Sequence, residues 1–256
     1  MLSRLFPAAL LVLLAAAGCE NQQQDPTPVE STGELEIYVE HVAGTSPLAV
    51  STPYTTAAGE TFRVGQLKYY LSNLKLLRAD GSSWAAPDSY YLVDHAQPAS
   101  QRLHLRGVPA GEYARLMVTI GVDSARNTVG AQTGPLDPVH GMYWDWNSGY
   151  VFLRLNGSSP QAPGNGGLFY DVAGFRRPHN TIRTITLPMP ASAGALRVRA
   201  GATPELHLKA NVLKLFEGPH PIRFGQMSSV AGGPDAVKLA DNCAAGMFRI
   251  DHLHGN

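Results

Sequence analysis

Apolar and polar residues alternate one by one along much of this chain. From Glu34 to Val42, Leu35, Ile37 and Val39 share one face and His41 continues it, while Glu34, Glu36, Tyr38 and Glu40 share the other. A period of two is the mark of a half-buried strand. The same reasoning predicts strands over Thr61–Ala79, which ends at the turn Asp80–Gly81, and over Tyr90–Asp94, which delivers Asp94 and His95 to its end. Arg102–Arg106 keeps Leu103 and Leu105 inward and turns His104 out. Tyr113–Gly121 keeps Ala114, Leu116, Val118 and Ile120 inward. Further strands are expected over Leu168–Val172, Thr181–Leu187, Leu196–Ala200 and Glu205–Val212. In the last of these, His207 falls on the outer face with Glu205 and Lys209, and reads as solvated. His104, His179 and His220 read the same way. Near the end the period changes. Gly233–Pro234 is a helix start, and Val237, Ala240, Ala244 and Met247 recur at helical spacing. His252 and His254 then stand two apart, on one face if extended. These elements predict an all-β fold, one antiparallel β-sandwich over residues 31–256, with a short C-terminal helix near Pro234–Gly246.

The N-terminus is different in kind. Arg4 supplies a positive charge, Pro7–Gly18 is apolar or small throughout, and Ala16, Ala17, Gly18 and Cys19 form a lipobox. Residues 1–18 are therefore expected to be a cleaved signal peptide, with Cys19 lipidated and residues 19–30 a polar tether. The expected location is the periplasmic side of a bacterial envelope, outer-membrane-anchored, in contact with the membrane through the lipid alone. The charge changes the picture by exclusion. Twenty Lys and Arg balance 20 Asp and Glu, which argues against nucleic acid as partner. With Cys19 lipidated, Cys243 has no disulfide partner and is expected to be buried among Ala244, Ala245 and Met247, a soft-metal ligand being the sharper alternative.

The most concentrated chemistry lies in His140–Gly157. Trp144 and Trp146, two apart, are expected to share one face of a strand, with Asp145 and Asn147 on the other. Gly149 permits a bulge or a close backbone approach. Such a pair serves either as a core plug or as an exposed aromatic surface. His140 and Met142 open the stretch and are both potential metal ligands. No G-x-S-x-G elbow, H-E-x-x-H or Walker loop is present, and no pair of acids has a recognisable catalytic arrangement, so the chain is not expected to be an enzyme.

Four blocks resemble the MbnP-like family of methanobactin-associated copper-binding proteins, related to CorA and MopE. They are Leu67–Ser83, Thr119–Gly157, Leu168–Phe175 and Asp241–His254, and the M-Y-W-x-W-x-S-G-Y run is the most specific part. The resemblance implies an exported β-sandwich that binds copper through histidines and a kynurenine made by oxidising a tryptophan, here Trp144 or Trp146. It also implies a dihaem peroxidase of the MbnH type as the partner that performs the oxidation. The sequence departs from the family pattern at Asp171, which holds a place where a histidine is expected; either it replaces a ligand or it marks loss of the site. The ligand candidates are His41, His95, His140, His252, His254 and Asp171, with His41 and His252 expected to approach each other. Zinc fits similar ligands. The alternative function is a non-metal ligand-binding or scaffold lipoprotein that uses Trp144 and Trp146 for recognition.

Overall fold

The long strands are β1 (Thr32–Ala43), β2 (Thr61–Leu77), β3 (Tyr90–Asp94), β4 (Arg102–Pro109), β5 (Arg115–Ile120), β6 (Gly149–Ser158), β7 (Gly167–Ala173), β8 (Arg183–Pro188), β9 (Glu205–Asn211) and β10 (Phe248–His254), joined by helices α1 (Ser124–Thr128) and α2 (Gly233–Asn242). They come from a computed structural model that describes residues 31–256. The expected signal peptide, lipidated Cys19 and polar tether fall outside the described residues.

The smaller sheet runs β10-β9-β1-β4, with Ser46–Pro47 folded back on the end of β1. The larger runs β8-β5-β2-β6-β7 and ends on Ser229–Ala231. β3 lies along the middle of β2. The expected all-β sandwich is present, but its sheets are mixed: β1 pairs with β9 in parallel, and β7 pairs with Ser229–Ala231 in parallel. Each of these pairs is far apart in sequence, and the intervening chain supplies the crossover that a parallel pair requires.

The main core fills the space between the sheets. Leu35, Ile37 and Val39 from β1 meet Tyr69 and Leu71 from β2 and Leu206 and Leu208 from β9, all buried. A second cluster lies on the other face of the larger sheet, where Tyr70, Met142, Tyr150, Phe152 and Phe175 are buried under the chain from Val122 to Met142. Tyr70 and Tyr150 donate their hydroxyls to the carbonyls of Pro135 and Leu136 at 3.1 and 2.8 Å, so buried polar atoms are satisfied. This cluster uses Met142, which is therefore no metal ligand.

The expected C-terminal helix is α2, with Pro234 in its first turn. A single π-helical turn, Cys243–Met247, follows it and leads into β10. Cys243 is buried, as expected, and burial pushes its thiol up to about 12, which keeps it protonated and inert. Among the described residues no helix is long and apolar enough to cross a membrane.

Candidate metal centre

β9 and β10 pair antiparallel with His207 opposite His252 and Glu205 opposite His254. The register shifts between His207 and Leu208, because Leu208 faces Ile250 and Asp251 has no opposite number. That bulge decides the site. Ile250 is buried against the core, and uninterrupted alternation would have sent His252 inward with it. One extra residue reverses the parity, so His252 and His254 emerge on the outer face, beside His207.

One ring nitrogen from each of His207, His252 and His254 lies within 4.8 Å of the others. Glu40, on β1, accepts from Nδ1 of His207 at 2.6 Å. This fixes the tautomer and leaves the Nε2 lone pair free. That Nε2 is buried and has no hydrogen-bond partner, an orphaned acceptor that a metal ion would satisfy. Asp251 accepts from Nδ1 of His252 at 3.0 Å and orients that ring similarly. Lys209 above all, with His252 and Arg249, holds Asp251 far below the usual carboxylate range. Glu205 reaches to 3.7 Å from His207 Nε2.

The rings are packed from below. Tyr38 stacks on His207 with centroids 5.2 Å apart and planes within 5°, and the Arg102 guanidinium caps Tyr38 at 4.4 Å. On the other side His252 stacks on His207 at 4.1 Å, and His254 stands edge-on to both. Stacked imidazoles aim their lone pairs side by side, because the lone pairs lie in the ring planes. Convergence on one ion takes a side-chain rotation of His252 or His254, the more exposed members, while the packed His207 stays in place.

The other candidates lie elsewhere. His41 is buried on the inner face, its Nε2 2.9 Å from the Tyr69 hydroxyl and its Nδ1 3.2 Å from His95 Nδ1. It is opposite Ala210, three positions along β1 from the level of His207, and points to the other side of the sheet. The expected approach of His41 to His252 is therefore overturned: the two lie on opposite faces of the sheet and three positions apart along it, and plain alternation without the bulge would still have set His252 level with Ile37 rather than with His41. Burial first, and His95 second, push the His41 imidazole down to about 3. His140 ends a short 3-10 turn, with Nε2 3.0 Å from the Gly134 carbonyl, and lines a cleft with Lys68 and Asp94. Asp171 receives Arg154 through both oxygens at 2.6 Å. A carboxylate engaged by a bidentate guanidinium is spoken for, and this is the use the chain makes of that position.

The tryptophans do not plug the core. Trp144 is 39% exposed and Trp146 76%. Nor do they share a strand face, since the short strand Tyr143–Asp145 stops before Trp146. Asp145 accepts from the backbone N–H groups of Asn147 and Ser148 at 2.8 and 2.7 Å, which closes a turn with Trp146 inside it. Trp144 borders a shallow cavity with Phe175, Arg176, Arg177, His179 and Gly232.

Buried Asn127, in α1, anchors this segment. Its Nδ2 donates to the Val122 carbonyl at 2.7 Å, and its Oδ1 accepts from the N–H of Tyr150 at 2.9 Å. Gly149 has φ +77°, and a Cβ there would meet Asn127 Oδ1 at 2.3 Å and Phe175 at 3.0 Å. Gly149→Ala is therefore expected to destabilise the fold by about 2–4 kcal/mol, combining left-handed strain with a broken buried hydrogen bond. Urea denaturation measures it; a loss under about 0.5 kcal/mol, the scale of a neutral surface change, contradicts the account.

A family model described as MbnP matches residues 32–232. Among solved structures, MbnP from Methylosinus trichosporium is similar in fold, with a TM-score of 0.54 at 15% identity, over 87% of this chain and 98% of that one. No curated protein matches the chain by sequence.

Proposed function

The chain belongs to the MbnP family, and from that membership we propose that it is an exported copper-binding protein whose metal centre is the trio His207, His252 and His254. The single observation that carries this reading is the buried Nε2 of His207, which has no hydrogen-bond partner and is presented by a Glu40-oriented ring beside two more imidazoles. Copper ranks highest among the first-row divalent ions for nitrogen ligands, and imidazole suits it. Bound there, the metal would supply a redox-active or transferable cation; the protein supplies ligand orientation and surrounding negative charge. We read the chain as a binding protein in copper acquisition or homeostasis, not as an enzyme, anchored through Cys19 to the outer membrane.

Equilibrium dialysis against Cu(II) at neutral pH tests the reading. The expected result is one tightly held ion that the double variant His252→Ala/His254→Ala loses. Retention of that ion by the double variant would place the centre elsewhere.

The tryptophans have their own role in this proposal. A dihaem peroxidase of the MbnH type would cleave the C2–C3 bond of Trp144 or Trp146, with two equivalents of peroxide as the four-electron oxidant to N-formylkynurenine, and hydrolysis would then leave kynurenine and release C2 as formate. The exposure of both indoles supports access by a partner. Co-expression with the peroxidase is expected to change the intact mass by the fixed increment of that conversion, and either Trp144→Phe or Trp146→Phe should abolish the change. An unmodified mass with active partner and peroxide present rejects this part. Trp144, exposed beside Arg176 and Arg177, and the more exposed Trp146 favour a second reading, an aromatic recognition surface for a non-metal ligand.

A further inference from the structure

Behind the sheet that carries the outer trio, a second pair of imidazoles is turned nitrogen to nitrogen. We propose that His41 and His95 form a separate interior site for a soft monovalent ion, Cu(I), held between their Nδ1 atoms. The site does not depend on the outer centre and shares no residue with it.

Three features of the pair support a metal. The first is direction. Nε2 of His41 lies 2.9 Å from the Tyr69 hydroxyl. In the tautomer that donates from Nε2 to the Tyr69 oxygen, Nδ1 is the lone-pair atom, and it faces Nδ1 of His95 at 3.2 Å; where the Tyr69 hydroxyl donates instead, the ion displaces the proton on Nδ1. With the metal absent, a proton on His95 Nδ1 fills the gap as a hydrogen bond. In the Nε2–H tautomer of His95 the same two atoms present two lone pairs, and an ion takes the place of that proton.

The second feature is spacing. With metal–nitrogen bonds of about 2.0 Å, two nitrogens 3.2 Å apart already fit a bent arrangement, and a linear one needs a separation of about 4 Å. The difference is within reach of a side-chain rotation. His41 is locked in the core, but His95 sits just past the end of β3 and is only half-buried. The rings stand nearly perpendicular, at 87°, so nothing stacks against that movement.

The third is charge. The donors are two neutral imidazoles in a buried setting. The nearest carboxylate, Asp94, is already committed to Lys68 at 3.2 Å and to the N–H of Ala96 at 2.9 Å. Desolvation cost rises with the square of the charge, so a monovalent ion costs roughly a quarter of what a divalent ion does. The outer trio has the opposite character, with Glu40, Glu205 and Asp251 around it. The two faces of one sheet would thus sort copper by oxidation state, Cu(II) outside and Cu(I) inside.

The test is anaerobic Cu(I) titration of the exported chain against a chromogenic Cu(I) chelator, repeated with Ag(I) as a redox-inert stand-in on protein labelled with 15N-histidine. Wild type is expected to hold a Cu(I) equivalent that His95→Ala weakens at least 100-fold and that His252→Ala/His254→Ala leaves unchanged. His95→Asn, which keeps a polar group at the gap, should behave as His95→Ala does and thereby separates ligand loss from misfolding. Ag(I) should shift and split the Nδ1 resonances of His41 and His95, with His41 Nε2 keeping its protonated chemical shift. Cu(I) affinity within twofold of wild type in both His95 variants, or silver effects confined to the outer histidines, would overturn the proposal. Loss of Cu(II) binding at the outer trio has no bearing on these readouts, so the two sites fail independently.

Discussion

His207→Ala is expected to weaken Cu(II) binding by at least 100-fold while leaving the fold intact. His207 is the member of the trio that is oriented and packed and still short of a hydrogen bond: Glu40 holds its Nδ1, Tyr38 supports its face, and its Nε2 has no hydrogen-bond partner. Removing one of three nitrogens leaves the half-buried His252 and the exposed His254 to order themselves around the ion. Glu40→Gln is the finer test, because it keeps all three ligands and removes only the charge that sets the tautomer. Loss of such an outer partner costs typically 10–100-fold in metal affinity, so Glu40→Gln should fall between wild type and His207→Ala. Isothermal titration with Cu(II) in a weakly chelating buffer gives both numbers. Affinity in His207→Ala within threefold of wild type would remove His207 from the centre.

The second large effect is on stability. Metal-free protein is expected to lose about 3 kcal/mol between pH 7 and pH 4 through His41 alone. The unfolded imidazole takes up its proton near 6.5, whereas the folded one, buried, resists until about 3. Protonation is thus favoured in the unfolded state throughout that window, and stability falls as pH drops from about 6.5 toward 3. Desolvation lowers His95 as well, which adds to the effect in the same direction. Asp251 acts in the same direction too, but only once the pH falls into the carboxylate range, so the interval from 6.5 to 4.5 belongs mainly to the histidines. Urea denaturation across this interval should show the slope, and His41→Gln should flatten it whatever its stability at pH 7. An unchanged slope in His41→Gln would show that this imidazole titrates freely in the native state.

Much of the fold was legible because β1 obeys its own alternation: the inward residues Leu35, Ile37, Val39 and His41 are all buried. The helix was legible from Gly233–Pro234 and the spacing that follows. The parallel pairing of β1 with β9 was not, because strand direction depends on a crossover of about 160 residues whose path no local pattern encodes.

The site was half legible. The spacing of His252 and His254 puts them on one face, but the expected approach of His252 to the inward His41 does not occur. The run from Phe248 to His254 is fully compatible with plain alternation, and the bulge that breaks it arises from pairing with β9, a partner invisible in the local sequence. Alternation in β9 correctly turns His207 outward, but it is not solvated, because Tyr38 and His252 cover it from neighbouring strands. Glu40 and Glu205, on the same predicted outer faces, were the available signal. Trp146 was expected on a strand although Asp145, Asn147, Ser148 and Gly149 together make a turn sequence.

Anomalous diffraction at the copper edge, on crystals of the protein equilibrated with one equivalent of Cu(II), tests the central claim most directly. The account predicts one dominant peak about 2 Å from His207 Nε2, with His252 and His254 turned toward it. A dominant peak beside Trp144 or at Asp171, with His207 Nε2 still without a partner, would contradict it.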